Sequence, residues 1–398
     1  MNLFRDIEKQ AIPYFAFYVF VFMAISIFTT FINIYFQELG FPLGTIGIFT
    51  ALGPMVSIVS QPMWGVVGDR TNRRLVLMAL LLGAAIISLI IPLHPSFIFI
   101  VITFLSYQVF ATSQLPIGDA LTLQYLDGKS LKYSAIRVAG SISFGLASVF
   151  AGTMLGGNTG RIFYYNTFFL LLTLLFVFMM KPAIKPTEQT EVDEKKEKEQ
   201  SGIKAFTKLL NNKVVLYVYL TSFVFGLCMS FKHPFLGIRM TEIGATQGQI
   251  GIALAIAAFG EIPVFLLIDK VLGKRKPEYL LMFSGFFMAL RMLLMFFSST
   301  VFIVYIAQLT HAFSFIIHLY FSILLLHKHS PPHMKATVQT VNSMVRMGLS
   351  ALLGSLGGGF LAQYIGMQPV FLMLSIFAFS TCVIIPGIMI SVHKLKKA

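Results

Sequence analysis

Residues 65–74 read Gly-Val-Val-Gly-Asp-Arg-Thr-Asn-Arg-Arg, at the junction of two long apolar runs, 45–67 and 75–92. A helix needs about 20 mostly apolar residues to cross the hydrocarbon core of a bilayer, and each run is of that order. Lipid offers no partner to an open strand, so two such runs must be helices, joined by a charged hairpin in water. Reading outward, the same pattern recurs along the whole chain. Candidate spans cover 13–36, 45–67, 75–92, 97–125, 134–156 and 162–180, then 213–236, 248–268, 279–297, 300–326, 337–362 and 368–391. The expectation is an all-α integral membrane protein with twelve transmembrane helices in two pseudo-symmetric six-helix bundles. The bundles cover 1–181 and 213–398, and 182–212 forms a polar linker. Composition agrees, with 57% hydrophobic and 12% charged residues, where a soluble domain carries roughly 25% charged.

The basic residues orient the chain. With the N-terminus inside, the inner segments hold Arg5 and Lys9, then Arg70, Arg73 and Arg74, then Lys129 and Lys132. Eight lysines fall in and beside the linker, and further clusters occur at 270–276, Lys328, Lys335 and the C-terminus, against Arg161, Lys232 and Arg239 outside. Both termini are therefore expected in the cytoplasm. The net charge of +14 follows from this topology, and nucleic-acid binding is excluded because the basic residues form no face of a soluble fold.

The two halves repeat. Leu39-Gly40, Gly44, Ile46 and Gly47 return as Ile243-Gly244, Gly248, Ile250 and Gly251, and Asp69 answers to Asp269. Ser134, Arg137, Ser141, Gly145 and Gly157 return as Ser343, Arg346, Ser350, Gly354 and Gly366.

Charges inside the spans are the informative residues, since each costs about 2.5–3.5 kcal/mol on insertion scales and normally meets a partner or cavity. Asp119 and Arg137 fall at similar depth on consecutive helices, so an ion pair is expected. Glu261 and Arg291 fall near the middle of theirs, with His311 at the same level and His318 two turns on. Carboxylate, guanidinium and imidazole together are the parts a proton-coupled carrier needs. Arg346, Gln114 and Asn33 complete the candidate polar lining.

The hairpin at 65–74 resembles the conserved loop of the major facilitator superfamily, a glycine, an aspartate–arginine pair and a basic pair. Asn72 stands where that family usually has glycine, and both tolerate a left-handed turn. The resemblance implies a cytoplasmic gate formed by Gly65, Asp69, Arg70, Arg73, Arg74 and Asp269, with Gly65 allowing close helix approach. A closer likeness follows from Pro116-Ile117-Gly118-Asp119, Arg137 with Gly140-Ser141, Gly260-Glu261-Ile262-Pro263, Arg291 and Gln308-Leu309-Thr310-His311. Together these resemble the phenylpropionate-permease and nucleoside:proton symporter branch, related to lactose permease.

That resemblance implies proton symport of a small organic solute, such as an aromatic carboxylate or a nucleoside, by a monomer in a bacterial cell membrane. It places Asp119, Arg137, Gln114, Asn33 and Arg346 near substrate, and Glu261, Arg291, His311 and His318 at the coupling site. One departure stands out: lactose permeases have a carboxylate three residues after the histidine, where this chain has Ser314. Drug/proton antiport is the competing use of such a fold, though the proline–glycine pattern of many antiporters is missing from the fifth span. A membrane-embedded enzyme lacks any zinc, phosphate-loop or nucleophile motif, and Cys228 and Cys382 read as apolar filler. His327, His329 and His333 read as a solvated loop, so no metal or cofactor is expected.

Overall fold

The computed structural model describes residues 9–129, 131, 133–180, 212–268, 275–330 and 335–384. Regular structure within them is helical, in twelve spans. The first six are α1 Ile12–Glu38, α2 Leu43–Arg70, α3 Arg73–Leu93, α4 Phe97–Leu126, α5 Tyr133–Met154 and α6 Arg161–Met179. The second six are α7 Lys213–Glu242, α8 Gln247–Leu267, α9 Pro277–Phe296, α10 Val301–His329, α11 Val338–Ile365 and α12 Met367–Ile384. The expected linker, both chain ends, Asp269 and His333 lie outside the described residues.

Two compact units form. Unit 1 comprises 1–42, 48–185 and 237–259, and unit 2 comprises 43–47, 186–236 and 260–398. In unit 1, α1 lies against α5 and α6, and α3 against α4 and α6; in unit 2, α9 lies against α10 and α12. Apolar side chains such as Ile58, Val59, Ile98, Phe302 and Tyr364 stand exposed on the helices, where a soluble protein would place charge and a membrane protein meets lipid.

The repeat extends to backbone geometry. Gly40 ends α1 at φ 85° and Gly244 ends α7 at φ 80°. Around each, the glycine N–H reaches the carbonyl three residues back, 2.9 Å at Gln37 and 3.0 Å at Thr241. The following N–H reaches five back, 3.1 Å at Phe36 and 2.9 Å at Met240. This is a Schellman stop in duplicate, with glycine at its left-handed position. Gly157 and Gly366, also paired by the repeat, both have φ 84°.

Prolines break the spans where side chains compensate. Pro116 cannot donate to Thr112, α4 is interrupted there, and Gln61 of α2 donates to the freed Thr112 carbonyl at 3.1 Å. Pro234 of α7 likewise frees the Ser230 carbonyl, which accepts from Ser355 Oγ of α11 at 2.8 Å. α11 itself contains two π-helical stretches, Met344–Leu349 and Leu352–Gly357, a departure that concentrates at functional sites. α10 breaks at Thr310, immediately before His311.

Candidate functional site

Each unit holds its own polar cluster within its spans. In unit 1, Asp119 sits on the segment of α4 that restarts after the Pro116 break. It accepts hydrogen bonds from the hydroxyls of Tyr18 and Tyr133, the latter at 2.9 Å. The expected Asp119–Arg137 ion pair is absent. Two phenols from α1 and α5 take the carboxylate, and the Arg137 guanidinium lies instead over Phe22, 4.2 Å from the ring centroid, and 6.0 Å from that of Tyr18. A guanidinium is weakly hydrated and stacks on aromatic faces, so this placement satisfies it without a counter-ion. Asn33 accepts from Thr50 at 3.3 Å, and Gln114 donates to the Leu80 carbonyl at 3.4 Å. Both tie neighbouring helices together.

In unit 2, Arg291 is wholly buried, the largest side chain so enclosed. Its Nη1 donates to His311 Nδ1 at 2.5 Å and its Nη2 to Gln308 Oε1 at 2.5 Å. His311 Nε2 lies 2.8 Å from Glu261 Oε1. A guanidinium only donates, so Nδ1 must be the acceptor; the hydrogen is then on Nε2 and is given to the carboxylate. The order is therefore Arg291 to His311 to Glu261, with imidazole between the two charges that the sequence brings to one depth. Glu261 keeps 28% of its side-chain surface, against 9% for His311, so the carboxylate is the accessible end.

Lys232 belongs here too. Counted with the outer loops on sequence, it lies inside α7, is 3% exposed, and sits within electrostatic reach of Arg291 and Glu261. Arg239 is likewise within the helix and pairs with Glu242 at 3.1 Å. The signal for Lys232 was present, because 213–236 is an apolar run that contains it.

His318 does not join the Glu261 cluster. Its ring stacks on Phe225 at 4.4 Å, Phe225 lies tilted against Phe315 at 6.0 Å, and Phe315 stacks on His311 at 5.2 Å. Neither ring nitrogen of His318 has a hydrogen-bond partner among the described residues. Arg346 falls in the first π-helical stretch of α11 and is half-buried.

At the hairpin, Asp69 accepts from Arg73 Nη2 at 2.6 Å and Nε at 3.0 Å. Arg74 donates to the Met180 carbonyl at 2.7 Å, closing the end of α6. Arg70 is exposed. Two details differ from expectation. Asn72 has φ −133° and accepts from Arg74 N at 2.9 Å, so it is an extended helix cap and not a left-handed turn. A Cβ at Gly65 would meet nothing within 4 Å, so close approach does not explain that glycine; Gly68 is the one tucked against Arg73, at 3.4 Å.

Twelve apolar helices in two repeated sets, each holding charge within its spans, define a multi-pass membrane transporter of the major facilitator type and not an enzyme. The chain belongs to the MFS_1 like family, whose profile matches residues 12–373. It is 25% identical to the maltose permease of Geobacillus stearothermophilus over 366 residues, 90% of each chain. It is 21% identical to the probable 3-phenylpropionic acid transporter of Escherichia coli over 366 residues, 88% of this chain and 90% of that one. Among solved structures it resembles the nucleoside transporter NupG with a TM-score of 0.81 at 16% identity, covering 94% of this chain and 98% of that one, a likeness of fold.

Proposed function

We propose that this transporter couples uptake of a small organic solute to a proton by alternating access, in the cell membrane of a bacterium with both termini cytoplasmic. The observation that carries the reading is the buried chain from Arg291 through His311 to Glu261. In it a half-exposed carboxylate is held by an imidazole whose other nitrogen is fixed by a guanidinium. Proton arrival at Glu261 removes a negative charge within electrostatic reach of Arg291 and Lys232, so their positive charge is no longer answered by it. A polar or anionic solute then completes the site. Departure of the proton restores the internal pairing and weakens the hold on the solute. Asp119, with its two tyrosines, and Arg137 bind substrate in unit 1, and the Asp69–Arg73 hairpin serves the gate. Candidate solutes are an aromatic carboxylate, as named for one relative, or a nucleoside, as named for a structural neighbour.

The test is proton movement in proteoliposomes, with 3-phenylpropionate and uridine offered in turn to wild type and to Glu261→Gln. The expected result is bath alkalinisation with one solute, lost in the variant. Proton flow in the opposite direction, or alkalinisation unchanged in Glu261→Gln, sinks the coupling assignment.

A further inference from the structure

From a second cluster in unit 2, we infer that His318 and Arg346 form a binding site for the acid group of an organic anion whose apolar body lies along Phe225 and Phe315. The inference deepens the transport reading by naming the substrate class, and it rests on that reading.

The first observation is orphaned polarity. His318 is 2% exposed, and among the described residues neither of its ring nitrogens has a partner, nor do the buried Arg346 Nε, Ser222 Oγ and Asn342 Oδ1. The helix segments that carry these groups adjoin. The His318 ring lies on Phe225, and the next residue, Gly226, has no side chain to hold off the Arg346 backbone carbonyl of α11. Ser222 stands one turn before Phe225 and Gly226 on α7, and Asn342 four residues before Arg346 on α11. Ser350 Oγ reaches across to the Phe223 carbonyl at 2.9 Å, fixing α11 to α7 at this level. Buried polar atoms almost always find partners, so the orphaned His318 ring, Arg346 Nε and Ser222 Oγ on adjoining helix segments point to a ligand that completes them.

The second observation is charge. Away from helix ends, the described spans of unit 2 carry Lys232, Arg291 and Arg346 against one carboxylate, Glu261. Glu261 is engaged by His311, and two phenyl rings of the ring ladder separate that pair from His318. The surplus cation at Arg346 therefore calls for an anion from outside the chain. An Arg guanidinium with an imidazole N–H and a serine hydroxyl is a donor set matched to carboxylate oxygens. Phe315 and Arg346 are both half-buried, so the group is reachable from one side. The neighbouring rings supply apolar surface for the remainder of the molecule.

The experiment is equilibrium binding of 3-phenylpropionate to the purified full chain in detergent, by calorimetry, with its methyl ester and sodium chloride as comparators. Arg346→Gln and His318→Phe, which keeps the ring on Phe225, are each expected to weaken the acid about tenfold or more. The ester should bind at least as poorly to wild type, and Arg346→Lys should retain part of the affinity. Histidine-labelled protein gives a second reading, in which the resonance missing from His318→Phe moves on addition of the acid to wild type. Absence of acid binding, equal affinity for the ester, or affinity unchanged in Arg346→Gln with native melting behaviour overturns the assignment. Chloride that displaces the acid completely at equal concentration overturns it in favour of an inorganic anion site. Binding at equilibrium needs no proton gradient, so failure here and failure of proton coupling are read separately.

Discussion

The two six-helix repeats share a backbone plan but hold different chemistry. The first helix of each, α1 and α7, ends on a left-handed glycine with the same pair of hydrogen bonds. Into that common plan unit 1 places a carboxylate shared between two phenols and a guanidinium laid on aromatic rings. Unit 2 places a guanidinium, an imidazole and a carboxylate in series, with a lysine beside them. The first cluster is rich in rings, the second in positive charge. Under the proposed function the first recognises the solute and the second couples the proton, a division of tasks that the following measurements test.

The largest effect that tests this division lies at the two arginines. Arg291 is wholly buried and gives its N–H groups to His311 and Gln308, so Arg291→Gln leaves Glu261 without its relay. Each hydrogen bond to a charged group is worth about 1.5–3 kcal/mol, and two are lost, so solute uptake should fall about a hundredfold or more. Arg137 has no acidic partner among the described residues to strand, and Arg137→Gln should cost uptake about tenfold. Arg291→Lys should not rescue, because a single ammonium cannot reproduce the fork. Initial-rate uptake in vesicles measures all three, and equal losses at the two sites break the comparison.

Next come the tyrosines of unit 1. Tyr18→Phe and Tyr133→Phe each remove one donor from Asp119, a bond to a charged group worth about 1.5–3 kcal/mol. The expected signature is a KM raised about tenfold in either variant, with the number of protons moved per solute unchanged. A changed stoichiometry would move proton coupling into unit 1.

How much of this was legible in the sequence divides along the same line. The spans and the repeat were readable because they rest on local properties, long apolar runs and glycines that only a left-handed turn demands. Glu261, Arg291 and His311 were readable as charges in apolar surroundings. Their order was not, because it depends on helix rotation and on the break at Thr310, which no proline announces. Tyr18 and Tyr133 were invisible for another reason: in a chain with 14 tyrosines and 41 phenylalanines, one ring that donates a hydrogen bond looks like any other. Lys232 was misplaced because a lone basic residue near a span end is usually topological. The Asp119–Arg137 pair failed because similar depth on two helices does not make their side chains face each other.

A third effect is equal in the two repeats. Gly40→Ala and Gly244→Ala place a Cβ on residues at φ 85° and 80°, where it costs about 1–2 kcal/mol. Neither site offers a clash, since nothing lies within 4 Å of the added atom. The two variants should therefore lower the unfolding midpoint in mild detergent by the same amount. Unequal shifts would show that the matching stops carry different loads.

The smallest effect concerns the prolines, and it isolates one hydrogen bond. Pro234 withholds a donor from the Ser230 carbonyl, and Ser355 supplies one from α11. Ser355→Ala should destabilise by about 0.6 kcal/mol, near the mean for hydrogen bonds between membrane helices. Pro234→Ala returns the N–H to its own helix, so in that background Ser355→Ala should cost less. The coupling between the two changes, read as a double-mutant cycle on reversible unfolding, is the contribution of the serine to a carbonyl that the proline orphaned. In unit 1 the corresponding carbonyl is Thr112, freed by Pro116 and served by Gln61. Gln61 is exposed where Ser355 is 2% exposed, so the cycle through Gln61 and Pro116 should give a smaller coupling than the cycle through Ser355 and Pro234. If the two are equal, burial is not what sets the strength of these repairs, and the need of the broken helix for a donor sets it instead.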